Sequence, residues 1–583
     1  MKITGSELFV KALKEEGIDL LFGYPGGSVI PLFDVLFSEQ EIEVVVTRHE
    51  QGAVHAADGY ARSTGKTGVI LVTSGPGATN TITGLATANF DSVPLVCFTG
   101  QVPRSMIGND AFQEADTVGI SRPVTKHNYL VTSREELGRV IKSAFILAAS
   151  GRPGPVLVDL PKDVLMESGP ADYPDTVNIR GLKNNGAENK DKQIARAASA
   201  LQQARRPLFY IGGGLHISGA SPVFRDLVEA TDVPVVTSLM GIGAFPTDHP
   251  RFLGMLGMHG TYAANMAVTY SDLLFAVGNR FDDRATGVLN RFAPEARIVH
   301  IDIDPISISR NVPVEIPIVG DARQVLEKLL PLVKAPDIKD WLSRIDGWLQ
   351  EHPLEMVSEF PDSEYLSPDQ VIRALSDAFP DAIVATEVGQ NQMWTALFYR
   401  FRNARSLLTS GGLGTMGYGF PAALGAQLGN PGRRVIDIAG DGSIQMNIQE
   451  LATAVYKELP VIVAILNNGY LGMVRQWQEL FCGERYSSTC LGKGEGCPKD
   501  CGSPGENCPP YVPDFVKLAE AYGAVGLRVC RQEEIGPALQ EAAASKKRPV
   551  LIDFIIEPEA NVYPMVPPGA GIDQMIFAQG GRS

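Results

Sequence analysis

Apolar residues in this chain gather in short unbroken runs rather than in strict alternation with polar ones. Examples are Gly68-Val-Ile-Leu-Val-Thr73, Pro155-Val-Leu-Val-Asp-Leu160, Pro207-Leu-Phe-Tyr-Ile211, Arg297-Ile-Val-His-Ile301, Arg434-Val-Ile-Asp-Ile438 and Val461-Ile-Val-Ala-Ile-Leu466. Runs of this kind, separated by helical patterns, predict parallel strands covered on both faces. Ligands in such α/β folds bind at the carboxyl ends of the strands. Two polar stretches, about 167–192 and 334–366, divide the pattern into three segments. The first contains Gly181-Leu-Lys-Asn-Asn-Gly-Ala-Glu-Asn-Lys190, too polar to order firmly by burial. The second contains Trp341 and Trp348, spaced to share one helix face, and predicts a surface helix within a linker.

The first and third segments repeat one another. Val69-Ile-Leu-Val-Thr-Ser-Gly75-Pro-Gly77 matches Val435-Ile-Asp-Ile-Ala-Gly440-Asp-Gly442, with an offset of 365 at the glycine turn. Leu85-Ala-Thr-Ala88 matches Leu451-Ala-Thr-Ala454, and Val93-Pro94 matches Leu459-Pro460, both at an offset of 366. Three matched blocks in order predict two related α/β domains flanking a different one.

The length of 583 residues suits three or four domains, enough to bury large cores without disulfide or metal staples. A net charge of -15 argues against a nucleic-acid partner, which demands a basic surface. The start, Met1-Lys-Ile-Thr-Gly-Ser-Glu-Leu8, lacks the apolar core of a signal peptide. No run reaches the ~18 apolar residues of a membrane helix. The expectation is therefore a cytoplasmic protein without a membrane partner.

The strongest chemical signal is Gly440-Asp441-Gly442-Ser443 followed by Asn467-Asn468. Asp441 and Asn468 each follow a strand, so parallel pairing brings both to one sheet edge. A carboxylate, an amide oxygen and nearby carbonyls suit Mg²⁺, which prefers hard oxygen ligands and keeps phosphate oxygens in its shell. Gly440 and Gly442 let backbone N–H groups approach a diphosphate at the helix start.

This spacing resembles the thiamine-diphosphate motif of the pyruvate decarboxylase-like superfamily. Within it the chain resembles, almost end to end, the catalytic subunits of the acetolactate (acetohydroxyacid) synthase family. The match includes Tyr24-Pro-Gly-Gly27, Arg48-His-Glu-Gln-Gly-Ala53, Thr73-Ser-Gly-Pro-Gly-Ala-Thr-Asn80, Asp110-Ala-Phe-Gln-Glu114, Pro161-Lys-Asp163, Gly257-Met-His-Gly260, Arg280-Phe-Asp-Asp-Arg284, Gly412-Leu-Gly-Thr-Met416 and Leu471-Gly-Met-Val-Arg-Gln-Trp477. The resemblance implies three doubly wound parallel-sheet α/β domains: a pyrimidine-binding domain over 1–166, a central FAD domain over 193–333 and a diphosphate-binding domain over 366–583. It implies decarboxylation of pyruvate and transfer of the hydroxyethyl unit to pyruvate or 2-oxobutyrate, the first common step of branched-chain amino acid biosynthesis.

The implied catalytic residues are Glu50, hydrogen-bonding the cofactor's pyrimidine, with Gln113, Lys162 and Gly27 facing the reacting atoms. Gln113 would donate to the developing oxyanion. Arg284 would clamp the second substrate's carboxylate, a task suited to a guanidinium fork. Trp477 and Phe112 would shape the acceptor pocket. Asp441, Asn468 and Tyr470 would hold Mg²⁺, while Gln390, Asn391, Met416, Gly440, Gly442 and Ser443 would hold thiamine diphosphate. Asn391 departs from the family, which commonly shows His there. FAD, in a structural role, would meet Arg152, Gly212, Gly213, Gly214, Leu239, Met240, Met258, His259, Arg280, Asp302 and Asp304. One cofactor touching both Glu50 and Asp441 implies a dimer with sites at its interface, or a tetramer built from it. A separate small regulatory subunit is a further implied partner.

Sibling activities remain open at this point: another carboligase, a decarboxylase, a pyruvate oxidase, or an inactive scaffold. Glyoxylate carboligase is disfavoured because it lacks the equivalent of Glu50. The chain also departs from the family over 482–508, a Gly-, Pro- and Cys-rich insertion. It holds Cys482, Cys490, Cys497, Cys501 and Cys508, five of the seven cysteines within 27 residues. The spacing is not that of paired zinc knuckles. Thiolates there are expected to be structural or regulatory, holding zinc, an iron–sulfur cluster or nothing, and to border a lid over the site.

Overall fold

A computed structural model of the chain describes residues 2–179, 190–354, 363–492, 497 and 513–578. It contains three six-stranded sheets in which every strand pair is parallel. The first is built from Leu20–Tyr24, Glu43–Val46, Gly68–Val72, Leu95–Gln101, His127–Leu130 and Pro155–Pro161. The third is built from Ile383–Thr386, Leu407–Leu408, Val435–Gly440, Ile462–Asn467, Val525–Val529 and Val550–Ile555. Numbering the strands of each sheet in chain order, both run 2-1-3-4-6-5 across the sheet. The repeat read from the sequence is thus a repeat of topology, with Gly68–Val72 and Val435–Gly440 as corresponding third strands.

The central sheet has a different order. Its strands Pro207–Ile211, Val235–Thr237, Phe252–Met255, Leu273–Val277, Arg297–Asp302 and Ile316–Val319 run 3-2-1-4-5-6. That is the order of dinucleotide-binding sheets, whose ligand crevice opens where the winding reverses, between strands 1 and 4. The apolar runs form strands because both sheet faces are covered: all of Gly68–Val72, Pro207–Ile211 and Ile462–Asn467 is buried.

Two expectations are corrected. The helix bearing the tryptophans, Lys339–Glu351, is not a surface helix of a linker: Trp341 is 2% and Trp348 7% exposed, and both join the central core. The Trp341 indole N–H donates to the Pro207 carbonyl at 3.1 Å, so the helix packs against the start of the sheet's central strand Pro207–Ile211. The polar stretch after 167 begins with structure, since Ser168–Pro170 pairs antiparallel with Lys2–Thr4. Residues 181–189 of that stretch lie outside the described residues.

The first and third sheets meet through two helices, Glu50–Thr64 and Gly419–Gly429. A methyl group at Gly59 would lie 2.1 Å from the Ala422 carbonyl oxygen, and one at Gly425 would lie 1.8 Å from that of Ala56. Only glycine permits this backbone-to-backbone approach. Among the described residues no helix is long and apolar enough to cross a membrane.

Candidate active site

The carboxyl ends of the first sheet's strands carry the first-segment candidates. Gly27 follows Leu20–Tyr24, Glu50 follows Glu43–Val46, Gln113 lies in the loop after Leu95–Gln101, and Lys162 follows Pro155–Pro161 directly. Glu50 opens its helix, where the partial positive charge of the helix start favours a carboxylate. His49 caps that helix, its Nδ1 accepting the Gln51 N–H at 3.1 Å. Asn80 Nδ2 donates to Glu50 Oε2 at 3.0 Å. Gln113 holds a left-handed backbone at φ 58°, uncommon without glycine, and its neighbour Phe112 is 87% exposed. The loop is tied from beneath: Gln101 Nε2 donates to the Ala115 carbonyl and to the buried Asp159, which also accepts from Thr99.

The third sheet's strand ends form a pocket of about 80 Å³. It is lined by Gln390, Asn391, Met416, the Gly440–Ser443 turn, Asn468 and Tyr470, all sequence candidates. Its lining comes from the third segment alone, and Glu50 is not part of it. Val388, Gly389, Trp394, Leu471 and Met473 also line it, and the sequence reading did not name them as such. Leu471 and Met473 lie inside a quoted motif, and Val388, Gly389 and Trp394 flank Gln390 and Asn391.

Asp441 is 1% exposed and accepts the N–H groups of Gly442 at 3.1 Å and Gly469 at 2.9 Å. Burial, opposed by these donors and its own backbone N–H and aided by the nearby Asp553 carboxylate, pushes its carboxyl up to about 8. A divalent cation in the pocket would hold the group ionised. Of the adjacent asparagines, Asn467 is spent on Asp553, with Nδ2 to Oδ1 at 2.8 Å. Asn468 instead lines the pocket, its Oδ1 accepting the Tyr470 N–H at 3.1 Å. A carboxylate, an amide oxygen and backbone carbonyls are hard donors that fit Mg²⁺. A side chain at Gly442 would lie 2.8 Å from Leu471, filling the cradle a diphosphate needs.

Two candidate amides are committed within the protein. Gln390 Nε2 donates to Gln476 and to the Ala560 carbonyl, leaving Oε1 toward Asn468. Asn391 Nδ2 donates to the carbonyls of Glu387 and Ile438. Glu387 accepts the N–H groups of Gly417 at 2.6 Å and Phe420 at 3.2 Å, just past Met416, and burial raises it to about 7.

At the central switch point, Gly212 and Gly214 pack against Gly278, where a methyl group at either would lie within 2.6 Å of Gly278. Packing therefore accounts for two of the three glycines, and Gly213 faces Met240. Arg152 reaches from the first segment to within 3.7 Å of Asp304. Asp302, buried and raised to about 6 chiefly by desolvation, accepts the Asp304 N–H at 2.8 Å. Buried His259 leaves Nδ1 without a hydrogen-bond partner among the described residues. Leu239 and Met240 form a short turn after Val235–Thr237, and Arg280 follows the Leu273–Val277 strand. The Arg284 side chain is 63% exposed and touches Met258 Sδ at 3.7 Å. Trp477 lies half-buried on the helix Gly472–Phe481, edge-on to Phe481. Neither Arg284 nor Trp477 lines the third-sheet pocket.

The insertion begins over that pocket. Leu491 N–H donates to the Gly469 carbonyl and Leu471 N–H to the Thr489 carbonyl, so Tyr470 and Cys490 bridge antiparallel. Cys501 and Cys508 lie outside the described residues. Among the described residues no three His, Cys, Asp or Glu side chains gather to hold a metal ion.

Two sheets of one topology flanking a third of different order, with Asp441 and Asn468 in a pocket at strand ends, point to the class of thiamine pyrophosphate enzymes. Family models of that class match three times: the N-terminal TPP binding domain over 3–120, the central domain over 194–329 and the C-terminal TPP binding domain over 387–554. Among curated proteins, the chain is 48% identical over 593 residues to an acetolactate synthase isozyme 3 large subunit of Escherichia coli, covering 100% of both chains. It is 45% identical to an acetolactate synthase large subunit of Haemophilus influenzae, covering 99% of each. It is 47% identical to an acetolactate synthase large subunit of Corynebacterium glutamicum, covering 100% of this chain and 91% of that one. The chain belongs to the acetolactate synthase family of thiamine-pyrophosphate-dependent carboligases.

Proposed function

We propose that the chain decarboxylates pyruvate and joins the two-carbon unit to a second pyruvate, giving 2-acetolactate, or to 2-oxobutyrate, giving 2-aceto-2-hydroxybutyrate. The observation that carries this reading is the convergence of Asp441, Asn468, the Gly440–Ser443 turn and Met416 on one pocket at parallel strand ends. Asp441, Asn468 and the Tyr470 carbonyl would hold Mg²⁺, and the Gly440–Ser443 turn with Gln390 and Asn391 would cradle the diphosphate. Met416 would support the cofactor's bend. Thiamine diphosphate, when bound, supplies the nucleophilic carbon and the electron sink that loss of CO2 requires.

The chain's own groups do the rest. Glu50 shares a proton with the pyrimidine ring nitrogen, a task suited to its hydrogen bond from Asn80. Gln113 donates to the oxygen on which charge develops, and Lys162 and Gly27 shape the same edge. Arg284 binds the acceptor's carboxylate, its only ionic partner among the described residues being the exposed Asp283 at 3.8 Å. Trp477 and Phe112 form the acceptor wall. The central crevice, with Gly212–Gly214, Met240, Met258, His259, Arg280, Asp302 and Asp304, would hold FAD structurally, with Arg152 entering from the first segment. The reaction itself moves no net electrons.

Because the pocket is lined by the third segment alone while the first-segment edge exposes Phe112 and Tyr24, a second copy of the chain supplies the other half of each site in this reading. The large-subunit names of the relatives point to a small regulatory partner as well. The test is incubation with pyruvate, Mg²⁺, thiamine diphosphate and FAD, with and without 2-oxobutyrate. Acetolactate supports the reading; acetaldehyde or acetyl phosphate assigns a sibling activity; absence of turnover refutes it.

A further inference from the structure

Two buried carboxylates face each other's domains across the seam between the first and third sheets, and neither belongs to the machinery described above. Asp91 ends the helix Ile82–Asp91 of the first segment. Its side chain is fully buried, and its oxygens accept the N–H groups of Gly411 at 3.1 Å and Gly412 at 2.9 Å. Those residues lie in the third-segment loop that runs from Thr409 past Met416 to Tyr418. Arg62 holds Asp91 at 3.0 Å and also donates to the Thr409 carbonyl at 3.0 Å, the residue where the loop starts. Thr87 and Thr415 share a hydroxyl hydrogen bond of 2.8 Å, and Tyr418 OH donates to Asp58 at 2.7 Å. The first segment thus grips the Met416 loop at four points, while Glu387 holds its far end from within the third segment.

Glu450 does the converse. It lies in the third segment, nine residues beyond Asp441, and is fully buried. Its carboxylate accepts the N–H groups of Arg48 at 2.9 Å and His49 at 3.0 Å, and is steadied by Thr453 at 2.7 Å. The next residue is Glu50. Each carboxylate therefore takes two consecutive backbone N–H groups from the other domain's cofactor-facing element.

We infer that Asp91 and Glu450 are positioning residues for the reaction, Asp91 fixing the Met416 loop and Glu450 fixing the start of the Glu50 helix. The inference rests on the cofactor roles proposed above for Met416 and Glu50. Backbone N–H groups that donate to a buried charged acceptor make strong, directional bonds, and ångström-scale placement of reacting groups controls rate.

The variants are Asp91→Asn and Glu450→Gln, which keep size and turn one acceptor oxygen into a donor facing N–H groups. Each is first checked for wild-type far-ultraviolet circular dichroism. Hydrogen exchange in the cofactor-free protein is expected to lose protection over 409–418 in Asp91→Asn and over 47–52 in Glu450→Gln. Thiamine diphosphate, titrated by tryptophan fluorescence, is expected to bind Asp91→Asn about tenfold or more weakly, the scale of one lost hydrogen bond to a charged group. In Glu450→Gln the expected change is a kcat lower by about tenfold or more at saturating cofactor with little change in the KM for pyruvate. Asp91→Asn combined with Met416→Leu is expected to bind the cofactor no worse than the weaker single variant, because one loop carries both effects. Unchanged exchange, cofactor affinity and kcat, or strictly additive losses, overturn the inference. If Asp91→Asn does not fold, Thr87→Val removes the Thr415 tie together with a local bond to the Thr83 carbonyl in the same helix, and an unchanged cofactor affinity in that variant overturns the Asp91 half. A wild-type protein that makes no acetolactate would instead remove the underlying reading.

Discussion

The Glu450 carboxylate accepts the backbone N–H of His49 at 3.0 Å, one residue before Glu50. A group from the third sheet's segment thereby fixes the first turn of a helix in the other segment, and with it the direction in which the Glu50 carboxyl projects.

Glu50→Gln is expected to fold normally, since a glutamine oxygen can still accept from Asn80. It loses the proton that the carboxyl shares, and kcat should fall by about a hundred- to ten-thousandfold. Steady-state turnover at saturating cofactor checks this; near-wild-type rates would remove Glu50 from the chemistry.

Asp441→Asn separates stability from binding. Burial raises the Asp441 carboxyl to about 8, so a neutral amide of the same shape should cost the metal-free protein only the one backbone hydrogen bond its NH2 group cannot accept, about 1 kcal/mol. Stabilisation by Mg²⁺ and thiamine diphosphate, ~2.7 kcal/mol at a hundred times Kd, should vanish. Thermal unfolding with and without both ligands reads the two effects, and a retained ligand shift would reassign the metal site.

Trp477→Leu is expected to keep acetolactate formation while losing preference for 2-oxobutyrate. A single methylene in an apolar pocket is worth only ~1–3 kcal/mol, so an aromatic wall against that methyl group is the natural source of selectivity. Product ratios from pyruvate and 2-oxobutyrate in competition decide it: an unchanged ratio takes Trp477 out of the acceptor pocket.

Asp159→Asn addresses pH. Burial raises the folded-state Asp159 carboxyl from 3.8 to about 7. Below about pH 4 both folded and unfolded forms carry the proton; between 4 and 7 only the unfolded form releases it, so the aspartate penalises folding increasingly and fully above 7. The asparagine variant should therefore gain stability as pH rises through that window, by about 2–4 kcal/mol at the limit of 1.36 kcal/mol per unit. Urea unfolding at pH 5 and 7.5 gives the difference, and a gain that does not grow with pH contradicts the account.

The sequence made the sheets legible because strands buried on both faces must be continuously apolar, as Ile462–Asn467 and Pro207–Ile211 are. The third-sheet pocket was legible for the same reason: Asp441 and Asn468 each follow such a strand, and parallel pairing brings both to one edge. What Trp341 and Trp348 face was not legible, since helical spacing gives a stripe but not its target. Nor were Asp91 and Glu450. Their partners lie 320 and 402 residues away, and a lone carboxylate carries no mark of the N–H groups it will meet. The commitment of Asn467 to Asp553, which singles out Asn468, also depends on a contact 86 residues distant.

The glycine contacts between Glu50–Thr64 and Gly419–Gly429 also limit how the molecule can breathe. With Gly59 against Ala422 and Gly425 against Ala56, the two helices touch backbone to backbone, leaving no lubricating layer of side chains in which one could shear past the other. A jaw-like swing of the outer lobes would have to tear this contact open. Movements that admit substrate would therefore be local ones, since this contact ties the two outer lobes to one another.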